Sequence, residues 1–164
     1  MAEDLQLHEV TWNLRWLARK RNPNPANWAA ELRVLSRGFV SWSRSLGLLS
    51  GSEPSREEAD AIASVAGLER EELLGVPLYA RESSVLHENL GYLVESLPQG
   101  EQKAAAAFIG ISASQLCRWQ KMKGRPRKTN IRKLLRFHGM DPDTDFEKEP
   151  LFLSMEPLSG YAQK

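Results

Sequence analysis

The sequence has one cysteine, three scattered histidines and no long apolar run among its 164 residues. A single cysteine, Cys117, excludes an internal disulfide framework, so a reducing cytoplasm is the expected compartment. The cysteine and the histidines cannot build a typical zinc site, and we expect no metal or other cofactor. No stretch approaches the roughly 18 continuous apolar residues of a membrane helix, and acids stand where a signal peptide carries a basic end.

Motifs of catalysis are also missing from the sequence. It contains no nucleophile elbow, no phosphate-binding glycine loop and no pair of acids at catalytic spacing. The sequence therefore predicts a binding protein rather than an enzyme. What remains informative is the distribution of charge along the chain and the spacing of its apolar residues.

Charge is distributed unevenly along the chain. The net charge is −2 over residues 1–82, +7 over 83–140 and −4 over 141–164. Ten basic residues lie between Lys103 and Arg136, and that span contains no acid. On a compact domain such a run repels itself unless a polyanion binds, so it favours nucleic-acid contact over a merely solvated face.

Apolar residues recur at helical spacing throughout the chain and almost nowhere alternate as in a strand, which predicts two arrays of short helices. The predicted boundaries are 1–76 for an N-terminal domain, 77–83 for a linker, 84–148 for a C-terminal domain and 149–164 for a tail. The arrays form a weak internal repeat. The distance from proline to glycine is 13 residues for both Pro54–Gly67 and Pro126–Gly139.

The segment between Gln102 and Lys121 has the pattern of a helix-turn-helix. The small residue is Ala106, and the turn residue, Gly110, follows it by four positions. Two apolar residues come next, Leu116 after six further positions and Trp119 after three more. Glycine suits the tight turn because it readily adopts a left-handed backbone. Together with the Gly-x-Pro loop that follows, these residues resemble the Cro and lambda-repressor-like helix-turn-helix family. The resemblance implies an all-α fold of two tandem five-helix domains, of which the second matches the family better.

The resemblance also implies which side chains meet DNA, because the second helix of the family's motif enters the major groove. The base-reading residues carried over to this sequence are Ser112, Ser114, Gln115, Arg118 and Lys121. Among these, Gln115 is suited to adenine and Arg118 to guanine by bidentate geometry. The residues expected to meet phosphates are Lys103, Lys123, Arg125, Arg127 and Lys128.

The first half carries a degenerate version of the motif. Its helix-turn-helix character rests on Ala30, Leu32, Val34, Val40 and Trp42. No glycine stands at the expected turn, and Gly38 falls inside the predicted second helix of the motif, which Ser36 would cap. Candidate DNA contacts in this half are Arg33, Arg37, Ser41 and Arg44. The alternative is a copy kept for packing or for binding a protein.

Two further expectations concern apolar residues. The run Leu151–Leu153 in the tail is expected to pack onto the second domain, with a docking peptide or a dimer strand as the alternative. The five tryptophans are expected in the cores because each lies near an apolar stripe, whereas a single-strand binder would expose them.

On the family resemblance, the sequence predicts a protein that binds double-stranded DNA sequence-specifically. Its expected role is a repressor-like transcriptional regulator of a bacterial, phage or mobile-element operon, located in the cytoplasm with the nucleoid. A homodimer, and a protein partner bound through the first domain or the tail, are left open. The alternative functions are a protein-interaction adaptor, such as an antitoxin-like protein, and a single-stranded nucleic-acid binder.

Overall fold

The computed structural model describes residues 7–155, and within that range the chain is all-α, with no strand. Two compact units divide the chain, Met1–Glu82 and Ser83–Lys164, here called unit 1 and unit 2. No helix of the described range combines the length and the apolar character that crossing a membrane requires.

Unit 1 contains six α-helices in its described part. They are α1 (Glu9–Arg21), α2 (Trp28–Leu35), α3 (Trp42–Leu49), α4 (Arg56–Ala66), α5 (Arg70–Gly75) and α6 (Leu78–Glu82). A short 3-10 helix, Pro25–Asn27, leads into α2, and the Asn24 side chain caps it by accepting from the Ala26 amide. Ser55 and Glu58 form the capping box that opens α4.

Unit 2 contains four α-helices in its described part. They are α7 (Val85–Glu95), α8 (Gln102–Ile109), α9 (Ala113–Gln120) and α10 (Lys128–Phe137). A 3-10 helix, Leu151–Leu153, follows. Five helices were expected in each domain. The described part of residues 1–76 contains five, α1–α5, and α6 lies in the segment expected to be a linker, whereas the described part of unit 2 contains four. The segment after Pro142, expected to begin a fifth helix, forms turns instead.

Each unit has its own buried core. The core of unit 1 includes the fully buried side chains Leu14, Trp28, Leu32, Leu48, Leu49, Ile62 and Leu73. The core of unit 2 includes Leu90, Leu93, Ile109, Leu116, Trp119, Leu134 and Leu135. These side chains come from every long helix of their unit, so burial of apolar surface holds each helix array together.

Of the segment expected to be a linker, 77–83, residues 77–82 belong to unit 1 and Ser83 begins unit 2. Most of it forms α6, and the side chains of Leu78 and Tyr79 on that helix are buried. The division between the units falls after Glu82. The linker was predicted because glycine and proline occur there, and these residues often mark loops. Their presence does not show whether the neighbouring apolar residues are buried in a core.

The expected motif of the first half differs from the structure. Ser36 does not cap a new helix but ends α2, and α3 begins six residues later at Trp42, capped by the Ser41 side chain. Gly38 lies in the connection between the two helices, where it has a left-handed backbone with φ of 81°. Val34 and Trp42 are exposed rather than packed in a core. The spacing of apolar residues did not predict the break between α2 and α3, because the helical spacing continues across the loop.

The tail segment packs onto unit 2, as expected. The 3-10 helix Leu151–Leu153 lies against α7, and its Phe152 and Leu153 side chains are buried. The rest of the predicted tail, residues 156–164, lies outside the described residues.

Candidate nucleic-acid interface

A three-residue turn joins α8 to α9 in unit 2. Helix α8 ends at Gly110, which has a left-handed backbone with φ of 87°. The amides of Gly110 and Ile111 both donate to the Ala106 carbonyl, at 2.8 and 3.0 Å. The Ser112 hydroxyl then caps α9 by accepting from the Gln115 amide at 3.1 Å. Glycine and serine therefore direct the chain from one helix into the next within a single turn.

Helix α9 divides into a buried and an exposed face. Leu116 and Trp119 are buried in the core of unit 2, which fixes the rotation of the helix about its axis. All five predicted base-reading side chains are exposed: Ser112, Ser114, Gln115, Arg118 and Lys121. The structure thus brings these residues together on one short helix and its two ends, although the Ser112 hydroxyl already caps the helix. Cys117 is half-buried on the same helix.

The predicted phosphate contacts lie on both sides of α9 in the sequence. Lys103 lies in the first turn of α8, and the other four lie between α9 and α10 or where α10 begins. All five side chains are exposed. Within the described residues, Lys103, Lys123, Arg127 and Lys128 make no ion pair, whereas Arg125 is paired with Glu147 at 2.7 Å.

The acidic segment after α10 supplies counter-ions to the basic run. Besides Glu147 on Arg125, Asp143 pairs with Arg132 at 2.7 Å. Both pairs border a groove of about 630 Å³ beside α10. The expectation that all ten basic residues lack counter-ions is therefore wrong for two of them. Both pairs are largely exposed, so each contributes little to stability and can open at small cost.

A histidine that the sequence analysis did not select holds the loop between α9 and α10. The Nε2 atom of His87 lies 2.9 Å from the Gly124 carbonyl, and its Nδ1 atom lies 2.9 Å from the Ser84 hydroxyl. A carbonyl only accepts, so Nε2 carries the proton and Nδ1 accepts from Ser84. The loop begins with Met122 and Gly124 in left-handed conformations. A lone histidine has no spacing signal, and sequence alone could not have assigned this contact.

The candidate contacts of unit 1 are arranged differently. Arg33 and Arg37 are exposed, and the Ser41 hydroxyl is already used to cap α3. Arg44 is held within the unit by two bonds to the Glu58 carboxylate, at 2.9 and 3.0 Å, and one to the Glu53 carbonyl. The hydrogen bond from Arg44 lowers the pKa of Glu58, and the same bond raises the pKa of Arg44. Three of the five N–H donors of Arg44 are therefore already used within the unit.

No protein-family model, curated protein or solved structure matches this chain. Function must therefore be argued from the surface of the molecule itself. The surface of unit 2 offers one amphipathic helix with polar side chains facing outward, set among cations that lack partners in the described range. The surface of unit 1 offers fewer free cations and a different set of exposed side chains.

Proposed function

We propose that this protein binds double-stranded DNA through unit 2, with α9 in the major groove. One observation carries the proposal: the face of α9 opposite the buried Leu116 and Trp119 exposes Gln115 and Arg118. The major groove of B-DNA admits a helix and presents a distinct pattern of donors and acceptors for each base pair. Gln115 then reads adenine and Arg118 reads guanine.

The cations around α9 support a role in phosphate binding. Eight of the ten basic residues between Lys103 and Arg136 make no ion pair within the described residues. Neutralising phosphates releases counter-ions from DNA, and this gives affinity that does not depend on sequence. Phosphate contacts on either side of α9 would fix its register, while the side chains of α9 itself would supply the specificity.

The proposed biological role is transcriptional regulation, most simply repression by covering a promoter. This part of the proposal depends on the resemblance of the α8–α9 segment to Cro and lambda-repressor-like proteins. On the same ground we propose a bacterial, phage or mobile-element operon as the setting.

Two features bear on the alternative functions. Phe152 and Leu153 are buried in unit 2, so they are not a free docking peptide of the kind an adaptor would use. Trp119, the tryptophan of unit 2, is also buried, so it cannot stack on bases as a single-strand binder requires. Both features favour the duplex proposal for unit 2.

The experiment that tests this proposal begins with selection of bound duplexes from random DNA by the full-length protein. Arg118→Ala should then cost roughly 1–3 kcal/mol on the selected site and flatten the preference at one base pair. Lys123→Ala is the matched control, because losing a phosphate contact should weaken all duplexes about equally. An unchanged sequence preference in Arg118→Ala would show that the face of α9 is assigned wrongly.

A further inference from the structure

The connection between α2 and α3 in unit 1 carries an exposed apolar patch. Its members are Val34, Phe39 and Trp42, which are 54%, 59% and 54% exposed. The next most exposed large apolar side chain in the described part of unit 1 is Leu74, at 40%. Exposed apolar side chains normally occur singly on globular proteins, whereas a group of them marks an interaction site. Three such side chains within nine residues therefore indicate an interaction site.

The loop is anchored at both ends and projects between them. The Ser36 hydroxyl accepts from the Val40 amide at 3.0 Å, and Val40 is buried. Between these anchors Arg37 and Gly38 have left-handed backbones, with φ of 53° and 81°. This conformation is unfavourable for Arg37, because it brings the Cβ atom too close to the following carbonyl oxygen. Retained strain of this kind is concentrated at functional sites.

The surroundings of the patch are positively charged. No acid lies between Glu31 and Glu53 in the sequence. Arg33 and Arg37 flank the patch along the chain, are exposed and make no ion pair within the described residues. A complementary partner is therefore anionic and offers flat apolar groups.

We propose that this patch, Arg33, Val34, Arg37, Phe39 and Trp42, binds unpaired nucleotides. Bases stack on the Trp42 and Phe39 rings, and phosphates lie at Arg33 and Arg37. Stacking on aromatic side chains tolerates any base because every base has a π-face. This patch thus binds a different form of nucleic acid from the one proposed for α9. A single strand exposes the flat faces of its bases, which are stacked on one another in a duplex.

Helix α3 is poorly equipped to read a duplex as α9 would. Ser41 and Ser112 cap the two helices in the same way, so residues can be matched from the caps. Trp42 then matches Ala113, and Arg44, which is held by Glu58, matches Gln115. Choosing nucleic acid rather than an acidic protein as the partner rests on the function proposed for unit 2.

The test uses the full-length protein and an oligothymidine of about twelve nucleotides, within the usual range of binding-site sizes. Trp42→Ala should bind this strand roughly 5- to 100-fold more weakly, the loss expected for one stacked base. Phe39→Ser should also weaken binding, and it removes no core side chain. Leu74→Ser is the matched control because it removes another exposed apolar side chain of the same unit, and it should leave binding unchanged.

The two proposals can fail separately in this experiment. Trp42→Ala should keep the affinity of the protein for an intact duplex, whereas Arg118→Ala should keep its affinity for oligothymidine. Absence of oligothymidine binding by the wild-type chain, or binding unaffected by both Trp42→Ala and Phe39→Ser, would overturn the inference. An acidic peptide that binds this patch while oligothymidine does not would assign the surface to a protein partner instead. If Arg118→Ala loses duplex binding and Trp42→Ala does not, the result tests only the proposal for unit 2.

Discussion

Asn13 in α1 and Asn89 in α7 occupy equivalent positions in the two units and bond in the same way to the segment that closes each unit. Both side chains are completely buried. The Nδ2 atom of Asn13 donates to the carbonyls of Leu73 and Val76 at 2.8 and 2.7 Å. Its Oδ1 atom accepts from the Leu78 amide at 2.9 Å.

Asn89 repeats this arrangement in unit 2. Its Nδ2 atom donates to the carbonyls of Phe146 and Glu149 at 2.9 and 2.8 Å, and its Oδ1 atom accepts from the Phe152 amide at 3.3 Å. Each asparagine thus satisfies two carbonyls and one amide of the segment that closes its unit. The two units are therefore alike in this buried contact.

Asn89→Ala should destabilise unit 2 by roughly 3 kcal/mol or more, because it leaves buried backbone groups without partners, at about 1–3 kcal/mol each. Amide hydrogen exchange of α7 and of residues 146–153 in the full-length protein measures the effect. Asn130→Ala, at a half-exposed position on α10, is the control and should change exchange little. Equal effects of the two substitutions would contradict the structural role of Asn89.

The sequence shows the likeness of the two halves at a second place, besides the Pro–Gly spacing. Asn13 and Asn89 each begin the same pattern, asparagine, leucine, any residue, an aromatic residue and leucine. The Pro–Gly spacing identified the repeat from α4 and α10 only. The asparagines gave no functional signal, since which carbonyls they meet depends on residues about 60 positions away.

Trp119→Ala should cost unit 2 on the order of 3–5 kcal/mol, as large core truncations do. Trp119 is 1% exposed, and its indole N–H finds no acceptor among the described residues. Trp119→Phe keeps an aromatic ring and removes that unpaired donor, so it should cost less than about 2 kcal/mol. Urea unfolding followed by circular dichroism compares the two variants. A larger loss for Trp119→Phe than for Trp119→Ala would refute the core assignment.

The α8–α9 turn could be predicted from sequence because its determinants are local. Gly110 and Ser112 direct the backbone within a few residues, and Leu116 and Trp119 fix which face is buried. The connection between α2 and α3 could not be predicted in the same way. Its break at Arg37 interrupts no apolar periodicity, and the burial of Val40 depends on packing within unit 1.

Glu147→Gln should strengthen duplex binding by about 1.5- to 5-fold, the range that corresponds to an exposed ion pair. The change frees Arg125 from its partner without altering the cation itself. Glu149→Gln is the matched control. It removes the same charge two residues further along the chain, from a side chain that makes no ion pair within the described residues. Filter binding at one fixed salt concentration measures both. Identical gains would mean that only net charge matters, and not the Arg125–Glu147 pair.

Unit 2 should lose stability as the pH falls from about 7.5 to 5.5. Burial lowers the pKa of His138, although a hydrogen bond to the Leu93 carbonyl opposes the shift. In the unfolded chain the histidine regains a pKa near 6.5, so below that pH the unfolded state binds more protons and is favoured. Burial therefore favours the neutral form of His138 in the folded state, whereas a position at a helix C-terminus favours the charged form.

His138→Gln tests this origin, because glutamine retains a donor for the Leu93 carbonyl but does not titrate. Urea midpoints of unit 2, followed through amide signals of α10, should vary less with pH in this variant than in the wild type. If His138→Gln retained the full dependence between pH 7.5 and 5.5, another group would be responsible.

The most direct test of the central claim is the salt dependence of duplex binding by the full-length protein. Four unpaired cations and Arg125 are proposed to meet phosphates, so the logarithm of affinity should fall against the logarithm of salt concentration with a slope near −4 to −5, about 0.9 per contact. Lys123→Ala should make that slope shallower by about 0.9. A slope indistinguishable from zero, or no duplex binding at low salt, would contradict the assignment of unit 2 as a DNA-binding unit.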